Sequence, residues 1–210
     1  MNLYPILLFL HVTGAICIFV GFGTLLFGMA ALRRAKHVEQ LRAIVGPMVA
    51  GRRVGREHVS VIDLLAIVGV LLVAATGLYM ALSAWGGWRT DWIKVAMISF
   101  LLMAPIGPFV INPRLHAVAS AADQAPSGPL PEALRLKTRD PILRTALWTL
   151  TTWLFGIVFL MTNKPSLKSS IAVMAISFAV GSGASVLALW HRERTVLSGT
   201  VRHAGPDRER

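Results

Sequence analysis

The sequence predicts an all-α integral membrane bundle of five transmembrane helices, with its N-terminus outside and its C-terminus cytoplasmic. Three observations carry that expectation. Residues 3–32 run without a charge before Arg33, and about 20 apolar residues already suffice to cross a bilayer. The whole 210-residue chain is 55% hydrophobic and only 15% charged, where a soluble domain carries about a quarter charged residues. Its basic residues also fall in blocks between the apolar runs rather than evenly along the chain. Helices are required because an isolated strand would leave backbone groups unpaired in hydrocarbon. The period-two alternation of a membrane barrel is absent from the runs.

Taken in order, the spans are 3–32, 59–83, 92–112, 142–162 and 169–190. Together they make a transmembrane domain over 1–194, followed by a polar tail, 195–210, that is expected to be disordered. The N-terminus lacks a basic leader region and its apolar run exceeds that of a signal peptide, so span one reads as retained. No lipidation motif is evident. Gly14, Gly21 and Gly28 recur every seven residues and drift by only about 20° per repeat, which makes a packing groove on span one. Span five offers a matching small row in Ala175, Ala179 and Gly183.

The connection after span one holds Val38, Leu41, Val45 and Met48 at helical spacing, suggesting a short helix on the membrane surface or an extension of the span. Gly86-Gly87 and Asn163-Lys164-Pro165-Ser166 read as tight turns, making spans two and three, and four and five, antiparallel neighbours. Tyr79, Trp85, Trp88 and Trp92 surround the first of these turns as an interfacial aromatic belt would. Pro105 and Pro108 each remove a hydrogen bond from span three and predict a kink there. Asp140-Pro141 reads as a cap followed by proline at the first helical position of span four.

Orientation follows from charge. Of the 21 Lys and Arg residues, 17 lie after span one, around the link between spans three and four, or in the tail. The positive-inside rule therefore puts those segments in the cytoplasm, as in a bacterial inner membrane. The formal net charge of +11 is then a topology signal. No nucleic-acid partner is expected, because no stacking aromatics are interleaved with the basic loops. The expected partner is the lipid bilayer, with a second copy or other membrane subunits as further expectations.

His11 is the only histidine inside a span. It lies about 10 Å deep if the outer boundary is near Tyr4, on the edge of the glycine face. An imidazole at that depth needs a partner: a Ser or Thr of a neighbouring span, Lys94 in the same outer half, or a metal. It could tune a proton path, ligate haem iron or bridge helices. No second deep histidine exists, so Met80 or Met97 would supply any other haem ligand. Lys94 also reads as a snorkelling interfacial anchor. Asp63, about one turn into span two, is a proton or ion site in one reading and a dipole-stabilising carboxylate, paired with Arg56 or Arg144, in the other. Cys17 is the single cysteine, so no disulfide forms within the chain, and it stands about 120° around the helix from His11. No HExxH, CxxC, phosphate-binding glycine loop or serine elbow occurs, which points away from an enzyme.

The opening LLFLHVTGA, with an early histidine before small residues, resembles a group of small bacterial membrane proteins. The whole chain is most similar to an uncharacterised bacterial integral-membrane family of unknown function. More distantly it resembles the copper-resistance D membrane domain and the J-type protoporphyrinogen oxidase. The oxidase pairs a first-span histidine with a lysine soon after a tryptophan in a later span. Trp92-Ile93-Lys94 matches that motif loosely, at shorter spacing. The resemblance implies His11 as a haem or metal ligand and Lys94 as a cofactor-handling residue, with haem b or a metal ion as cofactor. The expected function is thus a multi-pass inner-membrane protein with a haem- or metal-related role centred on His11. The alternatives are a small transporter or channel component using the span-three kink and Asp63, and a structural subunit without chemistry.

Overall fold

The computed structural model describes residues 3–49, 51–53, 56–58 and 61–183. Helix α1, Tyr4–Leu32, opens with Pro5 in its first turn, where a missing N–H costs nothing. It is followed by the short α2, Val38–Val45, and by strands β1, Gly51–Arg53, and β2, Arg56–His58. The strands pair antiparallel, Gly51 opposite His58. Apart from this pair of three-residue strands the described architecture is helical, as the all-α expectation has it.

Helix α3 spans Val61–Ser83. Helices α4, Asp91–Met103, and α5, Asn112–Gln124, are joined through the π-helical segment Gly107–Ile111. Then come α6, Glu132–Thr138, α7, Pro141–Asn163, and α8, Leu167–Gly183. Four stretches are long and apolar enough to cross a membrane: Tyr4–Leu32, Val61–Ser83, Asp91–Gln124 and Glu132–Asn163. The described part of the fifth expected span, α8, is a shorter apolar helix. The remainder of that span and the 195–210 tail lie outside the described residues.

Helices α1 and α3 are in backbone contact. A Cβ on Gly14 would stand 2.8 Å from Leu72 Cβ and 3.0 Å from the Gly69 carbonyl, and one on Gly69 only 2.8 Å from the Gly14 carbonyl. Gly21 faces the Ile62 carbonyl further along, so the helices run antiparallel. Small residues permit this approach, which dispersion and polar contacts reward in lipid. The glycine row expected on span one is therefore used, but its partner is α3. Helix α8 turns Ala175 and Ala179 outward and packs on α7 through Ser177, against Gly156, and Phe178, edge-on to Trp153 at 5.5 Å.

The two tight turns form as expected. Gly86 takes φ +78°, a conformation open to glycine. Lys164 closes α7 in the left-handed region, as C-terminal caps often do. Asp140 caps the other end of α7, its Oδ1 accepting from Ile142 N at 2.8 Å and Leu143 N at 3.4 Å. The aromatic belt divides in two. Tyr79 and Trp88 are exposed, whereas Trp92 is buried and meets Trp85 in a tilted ring contact at 5.5 Å. Trp85 Nε1 in turn donates to the Tyr4 hydroxyl at 3.2 Å.

The largest core runs from Ile18, Leu147 and Leu150 between the long helices to α2, α5 and α6 at one end of them. Helix α2 buries Val38, Leu41 and Val45 almost completely, in one cluster with Leu115, Val118, Ala122, Leu130 and Leu134. Its apolar face thus seals a protein lobe instead of resting on lipid. Arg42 reinforces the lobe by donating to the carbonyls of Ala122, at 2.9 Å, and Ala125 at the end of α5. The return loop is tied down by Val38 N to Gly128 O, Leu130 N to Lys36 O and Gly128 N to Glu39 Oε1. The predicted kink in span three is a π-helical turn: Asn112 N–H bonds back five residues to the Gly107 carbonyl. Helix continues beyond Pro113 to Gln124, well past the expected end of the span.

Candidate functional site: an intramembrane histidine held by the α1–α3 contact

His11 is half-buried on the α3 side of α1. Its Nδ1 lies 3.1 Å from the hydroxyl of Thr76, a buried residue of α3. That hydroxyl has a single hydrogen and donates it to the Leu72 carbonyl. With that hydrogen on the Leu72 carbonyl, the pair is satisfied by the tautomer that carries its ring hydrogen on Nδ1. In the neutral ring this leaves the lone pair on Nε2, because the two nitrogens divide the donor and acceptor roles.

The ring has room because α3 carries glycine at position 77. A Cβ there would lie 2.9 Å from His11 Cε1 and 3.3 Å from Nδ1. Gly14 and Gly69, one to two turns away, set the interhelical distance that lets Nδ1 reach Thr76. A threonine partner for His11 was among the sequence expectations. Gly69, Thr76 and Gly77 were not singled out, although their spacing along span two complements the glycines of span one in an antiparallel pair.

The other expected site residues lie apart from this pair. Lys94 Nζ is bonded to Asp91 Oδ1 at 3.0 Å, one turn back on α4. Asp63 is half-buried in the first turn of α3, thirteen residues from Thr76 and so about 20 Å along the helix. It shares no site with His11. Met80 is fully buried one turn beyond Thr76, and Met97 packs against the cluster of Ala81, Trp92 and Ile93. Among the described residues, no three His, Cys, Asp or Glu side chains gather as a metal site would need. Among the described residues the arrangement supplies one oriented imidazole.

The surface settles the class of protein. Phe27, Leu101 and Phe109 are 81%, 74% and 76% exposed on helices long enough to span a bilayer. Continuous apolar faces of this kind require lipid as the solvent; this is a multi-pass helical membrane protein. The chain belongs to the family described as "Predicted integral membrane protein (DUF2269)", whose model matches residues 5–165. No curated protein and no solved structure matches it.

Proposed function

We propose that the protein acts within the membrane through His11, whose Nε2 serves as a single nitrogen ligand to haem b or another metal centre. The observation that carries this reading is the 3.1 Å contact between His11 Nδ1 and the Thr76 hydroxyl. Ligating histidines donate their other ring N–H to an oxygen acceptor, which fixes the tautomer and the ring plane. Thr76 is then a positioning residue, and Gly77 provides the space for the ring. A metal centre held there would supply redox or Lewis-acid chemistry; the chain supplies the ligand, its orientation and a water-poor surrounding. Lys94, held by Asp91 at the outer end of α4, is proposed to meet an anionic group of such a cofactor. The proposed setting is a bacterial inner membrane with five spans, N-terminus out and C-terminus in, supported by the distribution of basic residues.

The test is the visible absorption spectrum of the full chain purified in detergent after haem supplementation, with metal analysis in parallel. A Soret band that is lost in His11→Ala and shifted in Thr76→Val is expected. Colourless, metal-free protein would overturn the proposal.

A second reading is favoured by one observation, the non-α backbone at Gly107–Ile111 in a helix that crosses the bilayer. Interrupted helices of transporters place ion or substrate sites at such points, and Asp63 would add a titratable carboxylate. Flux in reconstituted vesicles that falls in both Asp63→Asn and Pro105→Ala would establish it; unchanged flux would remove it.

A further inference from the structure

Two neighbouring cavities meet at Pro141, and their chemistry is complementary along one line. The first, about 310 Å³, is bordered by Arg114, Leu136, Lys137 and Asp140. The second, about 490 Å³, runs along the apolar surface formed by Ile106 and Val110 of the π-helical region, Ile142, Ala146 and Thr149 of α7, and Phe178 of α8. Pro141 borders both.

We propose that this continuous surface binds one anionic phospholipid, its phosphate in the first cavity and an acyl chain in the second. The charges fit. Asp140 is fully engaged, Oδ1 with the amides of α7 and Oδ2 with Arg114 Nε at 3.2 Å. Arg114 also donates to the Val110 carbonyl at 3.0 Å, which closes the end of the π-helical turn. With Arg114 balanced by Asp140, exposed Lys137 leaves the cavity with one net positive charge, the complement of a phosphodiester. Arg114 still has guanidinium hydrogens beyond these two bonds.

The apolar half is walled by hydrocarbon side chains, Ile106, Val110, Ile142, Ala146 and Phe178 among them, which is the surface an acyl chain needs. Pro105 and Pro108 prevent this stretch from relaxing to a regular α-helix, so the groove wall is a fixed feature of the fold.

The experiment uses the full chain reconstituted in vesicles of equal parts phosphatidylglycerol and phosphatidylcholine, extracted in mild detergent and weighed by native mass spectrometry. Wild type is expected to retain phosphatidylglycerol in preference to phosphatidylcholine. Lys137→Ala should reduce that preference about fivefold, the usual effect of one basic residue at a charged membrane surface. Ile142→Trp, at a position 52% exposed, should fill the groove and lower retention of both lipids. Excess inorganic phosphate should displace neither. Equal retention of the two lipids by wild type, an unchanged preference in Lys137→Ala, unchanged retention in Ile142→Trp, or displacement by inorganic phosphate would each overturn the proposal.

Discussion

At the scale of the residue, the candidate site turns on what glycine and threonine do for one imidazole. A hydrogen bond between helices in a membrane contributes on average only about 0.6 kcal/mol, so the Thr76 bond orients His11 more than it stabilises the fold. Gly77 carries the larger steric consequence. Gly77→Val should push the ring off Thr76 and cost about 1–3 kcal/mol by overpacking, read as a lower unfolding midpoint in detergent. A midpoint equal to wild type would show that the ring is not seated on α3. Outside the membrane, hydrogen bonding to its own backbone N–H, then to Ser127 and Gly128, holds the Glu39 carboxyl below its ordinary value. Its folded pKa is therefore below the unfolded one. The contribution is present above the unfolded value, about 4.3, and is lost as pH falls through the folded value. The protection factor of the Gly128 amide, its exchange rate relative to the intrinsic rate at each pH, should fall across that acid range in wild type and stay level in Glu39→Gln. His11 was legible in the sequence as a lone polar group in an apolar run. Its partner was legible only as a type, because register between two spans depends on contacts that neither span specifies alone.

At the scale of the element, the ends of helices were the most readable features. The Asp140-Pro141 pair, the Gly86 turn and the Lys164 turn rest on local backbone chemistry, and local sequence encodes it. Asp140→Ala removes an N-cap and the partner of Arg114. Loss of the cap costs about 1 kcal/mol, and the partly exposed ion pair adds at most a similar amount, so the midpoint should fall modestly. No change would mean that α7 is held by packing alone. Span three shows the opposite limit. Its prolines announced an interruption, but whether the chain breaks, bends or absorbs an extra residue depends on what surrounds it. Here a π-helical turn carries the backbone through and continues into α5. For α2 the amphipathic pattern was visible, yet periodicity says only that one face is apolar. It does not distinguish a lipid surface from Leu115, Val118 and Ala122 as the cover. The small rows pose the same problem: Ala175 and Ala179 have suitable spacing but face outward, while Gly69 provides the close approach.

At the scale of the whole molecule, the protein has two kinds of interior. Between the spans, glycines set the close α1–α3 approach and Ile18, Leu147, Leu150 and Leu154 fill the space around it. In the lobe of α2, α5 and α6, leucine and valine are packed as in a soluble core. Water, absent from the bilayer centre, drives that second kind of burial. Leu41→Ala should therefore cost about 2–5 kcal/mol and expose the 36–49 segment to protease while the spans stay helical by circular dichroism. A resistant segment would place the stability of the lobe elsewhere. Reporter fusions at Trp88 and at the C-terminus test the arrangement as a whole; an external C-terminus would overturn the proposed orientation or span count.

The burial of α2 also has a consequence in time. Val38, Leu41 and Val45 leave the ribosome immediately after the first span, whereas Leu115, Val118 and Ala122 follow only at the end of the third apolar stretch, Asp91–Gln124. During that interval the apolar face of α2 lacks its final cover, and transiently exposed faces are where chains go astray. Closure of the lobe thus reports that the earlier spans have been threaded in order. A chain arrested before residue 115 would retain a protease-sensitive α2, and one extended past residue 134 would protect it.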